Sequence, residues 1–174
     1  IVNKTESTVY ITDDEMSIDV GAVAKGFAVE RIAKWLIGKE YYGYVINVGG
    51  NVRTVEREDG KKWNVGIENP DTDDTENPYI ETLLFDEMSL VTSGSYQRFY
   101  TVDGKNYHHI IDSETLMPAE NFKSVSVVCA DSGVADALST TLFCMSYEEG
   151  SYLLEQCINT EAMWVLPDGK RLYT

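Results

Sequence analysis

Four short segments of this sequence place polar groups or glycines where the surrounding pattern asks for apolar residues. In Ala135-Asp136-Ala137-Leu138-Ser139-Thr140-Thr141, Asp136 and Thr140 are spaced i, i+4. On a helix they stand on one face, a turn apart. A carboxylate and a hydroxyl stacked this way are hard oxygen ligands of the kind magnesium accepts. The same spacing suits a solvated aspartate and a threonine bonded back to the preceding turn. Val134, Leu138 and Leu142 claim the apolar side, so pattern alone leaves both readings open. In Ile18 to Gly26 a strand ends, the chain turns on Gly21, and a helix begins with Lys25 in its first turns. Free N–H groups and the positive helix end attract phosphate there. By themselves these residues favour the plainer reading, a capped helix with a solvated lysine. Asn47-Val48-Gly49-Gly50-Asn51 lets a ligand or another backbone approach closely. A plain turn explains Gly49 and Gly50 equally well. The last segment is Thr92-Ser93-Gly94-Ser95-Tyr96, followed by Tyr107-His108-His109-Ile110-Ile111-Asp112, which holds both histidines of the chain. Alternation puts His108 and His109 on opposite faces of one strand, so at most one faces a given site. Histidine suits proton transfer near neutral pH; a satisfied edge-strand histidine is the plainer reading of each.

The elements that must position these groups follow from periodicity. Thr8 to Thr12 and Met16 to Val20 read as short strands. Val23, Phe27, Ile32 and Leu36 recur at helical spacing, with Lys25, Glu30, Arg31 and Lys34 on other faces, and that helix ends near Gly38. Tyr44 to Val48 is a strand; Val52 to Val55 and Trp63 to Ile67 suggest a hairpin around Asp59-Gly60. Pro70 to Pro78 is an acidic loop, and Tyr79 to Phe85 alternates again. Tyr96 to Val102 and Tyr107 to Ile111 pair across Asp103-Gly104, and Ser124 to Ala130 is an apolar strand. Asp131 or Ser132 caps a helix over Val134 to Met145, and a shorter helix covers Tyr147 to Cys157. Met163 to Leu166 and Arg171 to Tyr173 close the chain as a hairpin. The expected fold is α+β: a mixed or antiparallel sheet with hairpins and two main helices, one domain over residues 1–174.

Composition narrows the function classes. With 29 acidic against 14 basic residues the formal charge is −15, which repels a phosphate backbone and argues against nucleic acid. No apolar run approaches a membrane span, and Ile1 to Ser7 lacks the pattern of a signal peptide. Cys129, Cys144 and Cys157 are scattered in apolar contexts and read as buried small hydrophobes.

Taken in order, the segments resemble the ApbE family of FAD:protein FMN transferases. The resemblance covers about Ile18 to Met145 and adds Trp63-Asn64-Val65-Gly66-Ile67 to the stretches above. It implies an ApbE-like, T-fold-like architecture. It also implies a reaction in which FAD and Mg2+ are bound, the pyrophosphate is cleaved, and FMN passes to a threonine of a flavin-acceptor protein as AMP leaves. Carried over by position, Asp136, Thr140 and the Ala22 carbonyl would hold the magnesium. Lys25 and the His109-Ile110 segment would lie at the pyrophosphate, with Gly49, Gly50 and Ser93 also at the cofactor. His109 would accept the proton of the attacking hydroxyl, and Asp112 would orient the histidine or the strand. Two departures stand out: Ser113 and Leu116 occupy places where the family has proline and glycine. The family also carries an N-terminal region that supplies part of the FAD cleft, so the resemblance is to a C-terminal catalytic portion. Alternatives within it are FAD hydrolysis to FMN and AMP, or a truncated, non-catalytic flavin-binding module. It further implies an extracytoplasmic setting, with membrane attachment through a lipid anchor outside this sequence.

Overall fold

The computed structural model describes residues 1–174. Its centre is a six-stranded antiparallel sheet made from Val45–Val48 (β3), Asn51–Thr54 (β4), Ser89–Gly94 (β7), Ser124–Cys129 (β10), Glu161–Val165 (β11) and Arg171–Tyr173 (β12). The spatial order is β12-β11-β10-β7-β4-β3. Three two-stranded pairs stand apart from it: Val2–Asn3 (β1) with Thr8–Val9 (β2), Trp63–Glu68 (β5) with Tyr79–Phe85 (β6), and Phe99–Val102 (β8) with Lys105–His108 (β9). The helices are Gly21–Ile37 (α1), Ser132–Cys144 (α2) and Tyr147–Leu154 (α3).

Strand alternation sorts the side chains into two layers. Val125, Val127 and Cys129 of β10, Val91 of β7, and Ala162 and Trp164 of β11 join Ala135, Leu142, Phe143 and Leu154 from α2 and α3 in the larger core. The intervening residues face the other way. Leu90, Met163 and Val165 meet Val65 and Ile67 of β5 in a second, smaller core. Each fully buried large side chain contributes roughly 1.5–3 kcal/mol, and Trp164 and Phe143 are both completely buried. The helix ends follow cap chemistry. Asp131 accepts from the Gly133 and Val134 N–H groups at the start of α2, and Ser146 with Glu149 forms a capping box at α3.

The α+β class, the main helices and the closing hairpin stand as expected, and every ladder in the sheets is antiparallel. Four details differ. β4 does not pair with the strand beginning at Trp63; it pairs with β3 through the two-residue turn Gly49-Gly50, and β5 pairs with β6. Both glycines have positive φ, +57° and +84°, the geometry that a tight primed hairpin turn demands. Met16 to Val20 forms no strand, because no neighbour pairs with it and Met16, Ile18 and Val20 stay exposed. β7 is an additional central strand whose serines and threonine hid it from the hydrophobic pattern. The strand through the histidines ends at His108, so His109 lies just beyond it.

Candidate functional site

α1 and α2 cross at a residue with no side chain. A Cβ on Gly26 would sit 2.2 Å from the Ser132 carbonyl oxygen and 2.5 Å from the Asp136 Cβ. This close approach lets the Gly26 N–H donate to Asp136 Oδ2 at 2.7 Å. In a regular helix that N–H serves the carbonyl four residues earlier, here Ala22. Asp136 is 3% exposed, so the solvated reading of this residue falls.

One turn further along α2, the Thr140 hydroxyl lies 3.1 Å from Ser93 Oγ of β7, which lies 2.9 Å from Ser139 Oγ. The back-bonded threonine of this helix is its neighbour: Thr141 Oγ1 donates to the Ala137 carbonyl at 2.8 Å. The structure thus ties Asp136 to α1, the helix that carries Ala22, and joins Thr140, one turn further along α2, to Ser93 of β7. No salt bridge reaches Asp136. A buried carboxylate without a cation is costly. Its hydrogen-bond partner is the Gly26 N–H alone, and no group of three or more His, Cys, Asp and Glu stands together. One carboxylate, a hydroxyl and a carbonyl suit a hard divalent ion that keeps waters or takes phosphate oxygens as its remaining ligands.

A charged cluster that sequence reasoning missed fixes this crossing. Glu30 of α1 is 6% exposed. It accepts from Arg53 Nε of β4 at 3.3 Å and from the Ser132 N–H at 2.9 Å. Lys34 bridges Glu30 and Asp131 at 3.2 and 3.0 Å. Its ammonium is held above the usual value, first by the Asp131 hydrogen bond, against some desolvation. The available signals were the i, i+4 spacing of Glu30 and Lys34, and a lone arginine between Val52 and Val55. Lys25, beside Gly26, is half-buried and makes no ion pair.

His109 is exposed, with Nδ1 3.3 Å from the Arg98 carbonyl oxygen. Ile110 is buried in the larger core, and the Cys144 thiol donates to the Ile111 carbonyl at 3.8 Å. That bond seats the His109 segment against the last turn of α2, one turn beyond Thr140. Asp112 makes no hydrogen bond to His109. Its Oδ1 accepts from the Glu114 and Thr115 N–H groups at 2.7 and 3.0 Å, and these bonds hold its carboxyl below the ordinary range. Of the two uses expected for Asp112, it orders its own segment and leaves the histidine ring alone. Leu116 closes that turn with φ +57°, the left-handed conformation a glycine would take without strain.

Gly49 and Gly50 form the turn between β3 and β4. Gly50 lines a cavity of about 230 Å³ with Asn47, Trp63, Thr92, Tyr96 and Gln97, on the face of the sheet away from the helices. Burial there pushes the Tyr96 phenol up to about 12.

Comparison with known proteins adds the family. Residues 1–164 match the model of the ApbE family. A FAD:protein FMN transferase of Klebsiella pneumoniae is 34% identical over 166 residues, covering 95% of this chain and 50% of that protein. One from Treponema pallidum is 34% identical over 171 residues, covering 92% and 47%. The crystal structure of the ApbE protein from Thermotoga maritima superposes with a TM-score of 0.87 at 30% identity, over 100% of this chain and 56% of that one. The chain spans about half the length of the curated relatives it matches. On its sequence and on its fold alike, this chain belongs to the ApbE family.

Proposed function

We propose that this chain serves magnesium-dependent transfer of FMN from FAD to a threonine hydroxyl of an acceptor protein, with release of AMP. The observation that carries the proposal is Asp136, a buried carboxylate with no cationic partner, tied to α1 by the Gly26 N–H and set one turn of α2 before Thr140, whose hydroxyl meets Ser93. The relatives' name, FAD:protein FMN transferase, supplies the reaction class. In that reaction the threonine oxygen bonds to the FMN phosphorus. The bond from that phosphorus to the bridging oxygen breaks, AMP departs with the oxygen, and the hydroxyl proton passes to a base.

Each residue takes a role its surroundings allow. Asp136, Thr140 and the Ala22 carbonyl would hold magnesium, which when bound offsets the charge that grows on the pyrophosphate oxygens. Lys25, without an ion pair, is free to meet the pyrophosphate. His109 is exposed, and with its Nδ1 proton directed at the Arg98 carbonyl its Nε2 lone pair can accept the threonine proton. The Ile110 backbone, anchored by its buried side chain, fixes where that ring stands. Gly49, Gly50 and Ser93 complete the cofactor contacts of this reading. The reading also carries an extracytoplasmic setting with a lipid anchor.

The test is incubation of the full-length protein with FAD, Mg2+ and a threonine-bearing acceptor, following AMP by chromatography and labelled acceptor by flavin fluorescence. Asp136→Ala is expected to lower both by ~100-fold or more while the protein stays folded. Undiminished transfer by that variant would overturn the proposal. AMP formed equally well without acceptor would favour hydrolysis instead.

A further inference from the structure

We infer that Ser93 and Ser139 form a one-way hydroxyl chain that turns the Thr140 proton away from the cation position and leaves its lone pairs to the ion. The inference rests on the cation reading of Asp136 and Thr140.

Its direction follows from counting protons. A hydroxyl carries one proton and two lone pairs. Ser139 Oγ lies 3.0 Å from the carbonyl oxygen of Asp136, and a carbonyl only accepts, so the Ser139 proton is committed there. At 2.9 Å Ser139 then accepts from Ser93, which commits the Ser93 proton. The remaining contact, 3.1 Å between Ser93 and Thr140, is satisfied only by Thr140 donating. The order is Thr140 to Ser93 to Ser139 to the Asp136 carbonyl, and the terminal carbonyl forbids the reverse. Ser139 is completely buried, so water does not substitute for it. Thr141 shows the alternative, its proton spent on its own helix. Without the chain, the Ser93 proton would be free to settle on the Thr140 oxygen and occupy a lone pair that the ion needs. Ser93 and Ser139 are thus positioning residues, acting on the ion through Thr140.

The chain makes an unusual ordering of variants. Mn2+ alone is titrated into the protein and followed by electron paramagnetic resonance, with circular dichroism as the check on folding. Ser139→Ala releases the Ser93 proton onto Thr140 and is expected to weaken Mn2+ binding by about fivefold, the worth of one hydrogen bond. Ser93→Ala removes the competitor together with the acceptor and should weaken it by only about twofold. The double variant should match Ser93→Ala, because Ser139 no longer reaches Thr140. Ser93→Thr keeps the hydroxyl and should recover the binding that Ser93→Ala loses. Unchanged binding in Ser139→Ala, or a double variant weaker than both singles, would overturn the chain while leaving the cation site standing. Failure of the parent protein to bind millimolar Mn2+ would remove the cation site itself, and the chain with it.

Discussion

His108 and His109 are neighbours with opposite circumstances, and the difference has a measurable consequence. His108 is 9% exposed; its Nε2 lies 2.8 Å from the Ala119 carbonyl oxygen and its Nδ1 accepts from the Ile110 N–H at 3.3 Å. Both ring nitrogens are used by the neutral form, so protonation at Nδ1 must break the Ile110 bond. Desolvation lowers its pKa, with the Ala119 carbonyl opposing in part. A folded-state pKa below that of the unfolded chain means the unfolded chain takes the proton first as pH falls. Full stability is therefore present above the unfolded value of about 6.5 and is lost as pH falls through the lower folded value. Thermal unfolding of His108→Gln against the parent checks this: the variant should lose that segment of pH dependence, and parallel profiles would refute it. Alternation in the sequence sets the two histidines apart along one strand, whereas the strand ends at His108 and His109 differs because it lies beyond it. The same sequence could not reveal that Asp136 is buried, because its partner, the Gly26 N–H, is 110 residues away.

At the scale of elements, the α1–α2 crossing decides whether the site exists. In an isolated helix Gly26→Ala would be favoured by ~1 kcal/mol on propensity. Here the new methyl would meet the Ser132 carbonyl oxygen at 2.2 Å, against ordinary contacts that begin near 3.4 Å. Neither the Ser132 backbone nor the Asp136 Cβ is a flexible tip, so α2 must move outward. Packing should override propensity, with a net loss of about 1–3 kcal/mol in denaturant unfolding and weaker Mn2+ binding as Asp136 separates from α1. Equal stability with intact binding would show that the helices have slack. Helix periodicity made the existence of α1 and α2 legible but not their buried faces. Val23, Phe27, Ile32 and Val134 are exposed, and Gly26, Val29, Glu30 and Ala33 of α1 and Ala135, Asp136 and Ser139 of α2 are buried instead. Strand partners were less legible. Gly49-Gly50 joins β3 to β4, but Asp59-Gly60 offered an equally good local turn, and only cross-chain pairing decides between them. β7 went unread because half of its residues are Ser or Thr, although strands bond it on both sides. Its polarity has a use: Ser93 faces α2, and Thr92 bonds Ser126 on the other face at 2.8 Å.

For the whole molecule the governing quantity is charge. A formal −15 produces a field that opposes an anionic pyrophosphate and draws in a divalent cation. Near Asp136 the positive groups are already committed, Arg53 to Glu30 and Lys34 to Glu30 and Asp131, which leaves Lys25 as the free local charge. Two effects therefore compete over different distances. The repulsion is summed over many exposed groups and is long-ranged, so it is screened as the Debye length shrinks from about 30 Å at 0.01 M salt to about 8 Å at 0.15 M. Contacts at Lys25 and at a bound cation are short and survive that screening better. Across this range FAD affinity measured without divalent ions should rise by several-fold, while Mn2+ affinity should fall by a similar factor. Fluorescence titration of FAD and spin-resonance titration of Mn2+, both on this 174-residue chain, give the two slopes. Opposite signs would mean that the acidic surface controls access and that the cation must arrive with, or before, the flavin nucleotide. An FAD affinity that falls with salt would instead give Lys25 and the local backbone N–H groups command of the approach, and the acidity of the rest of the chain would be irrelevant to binding.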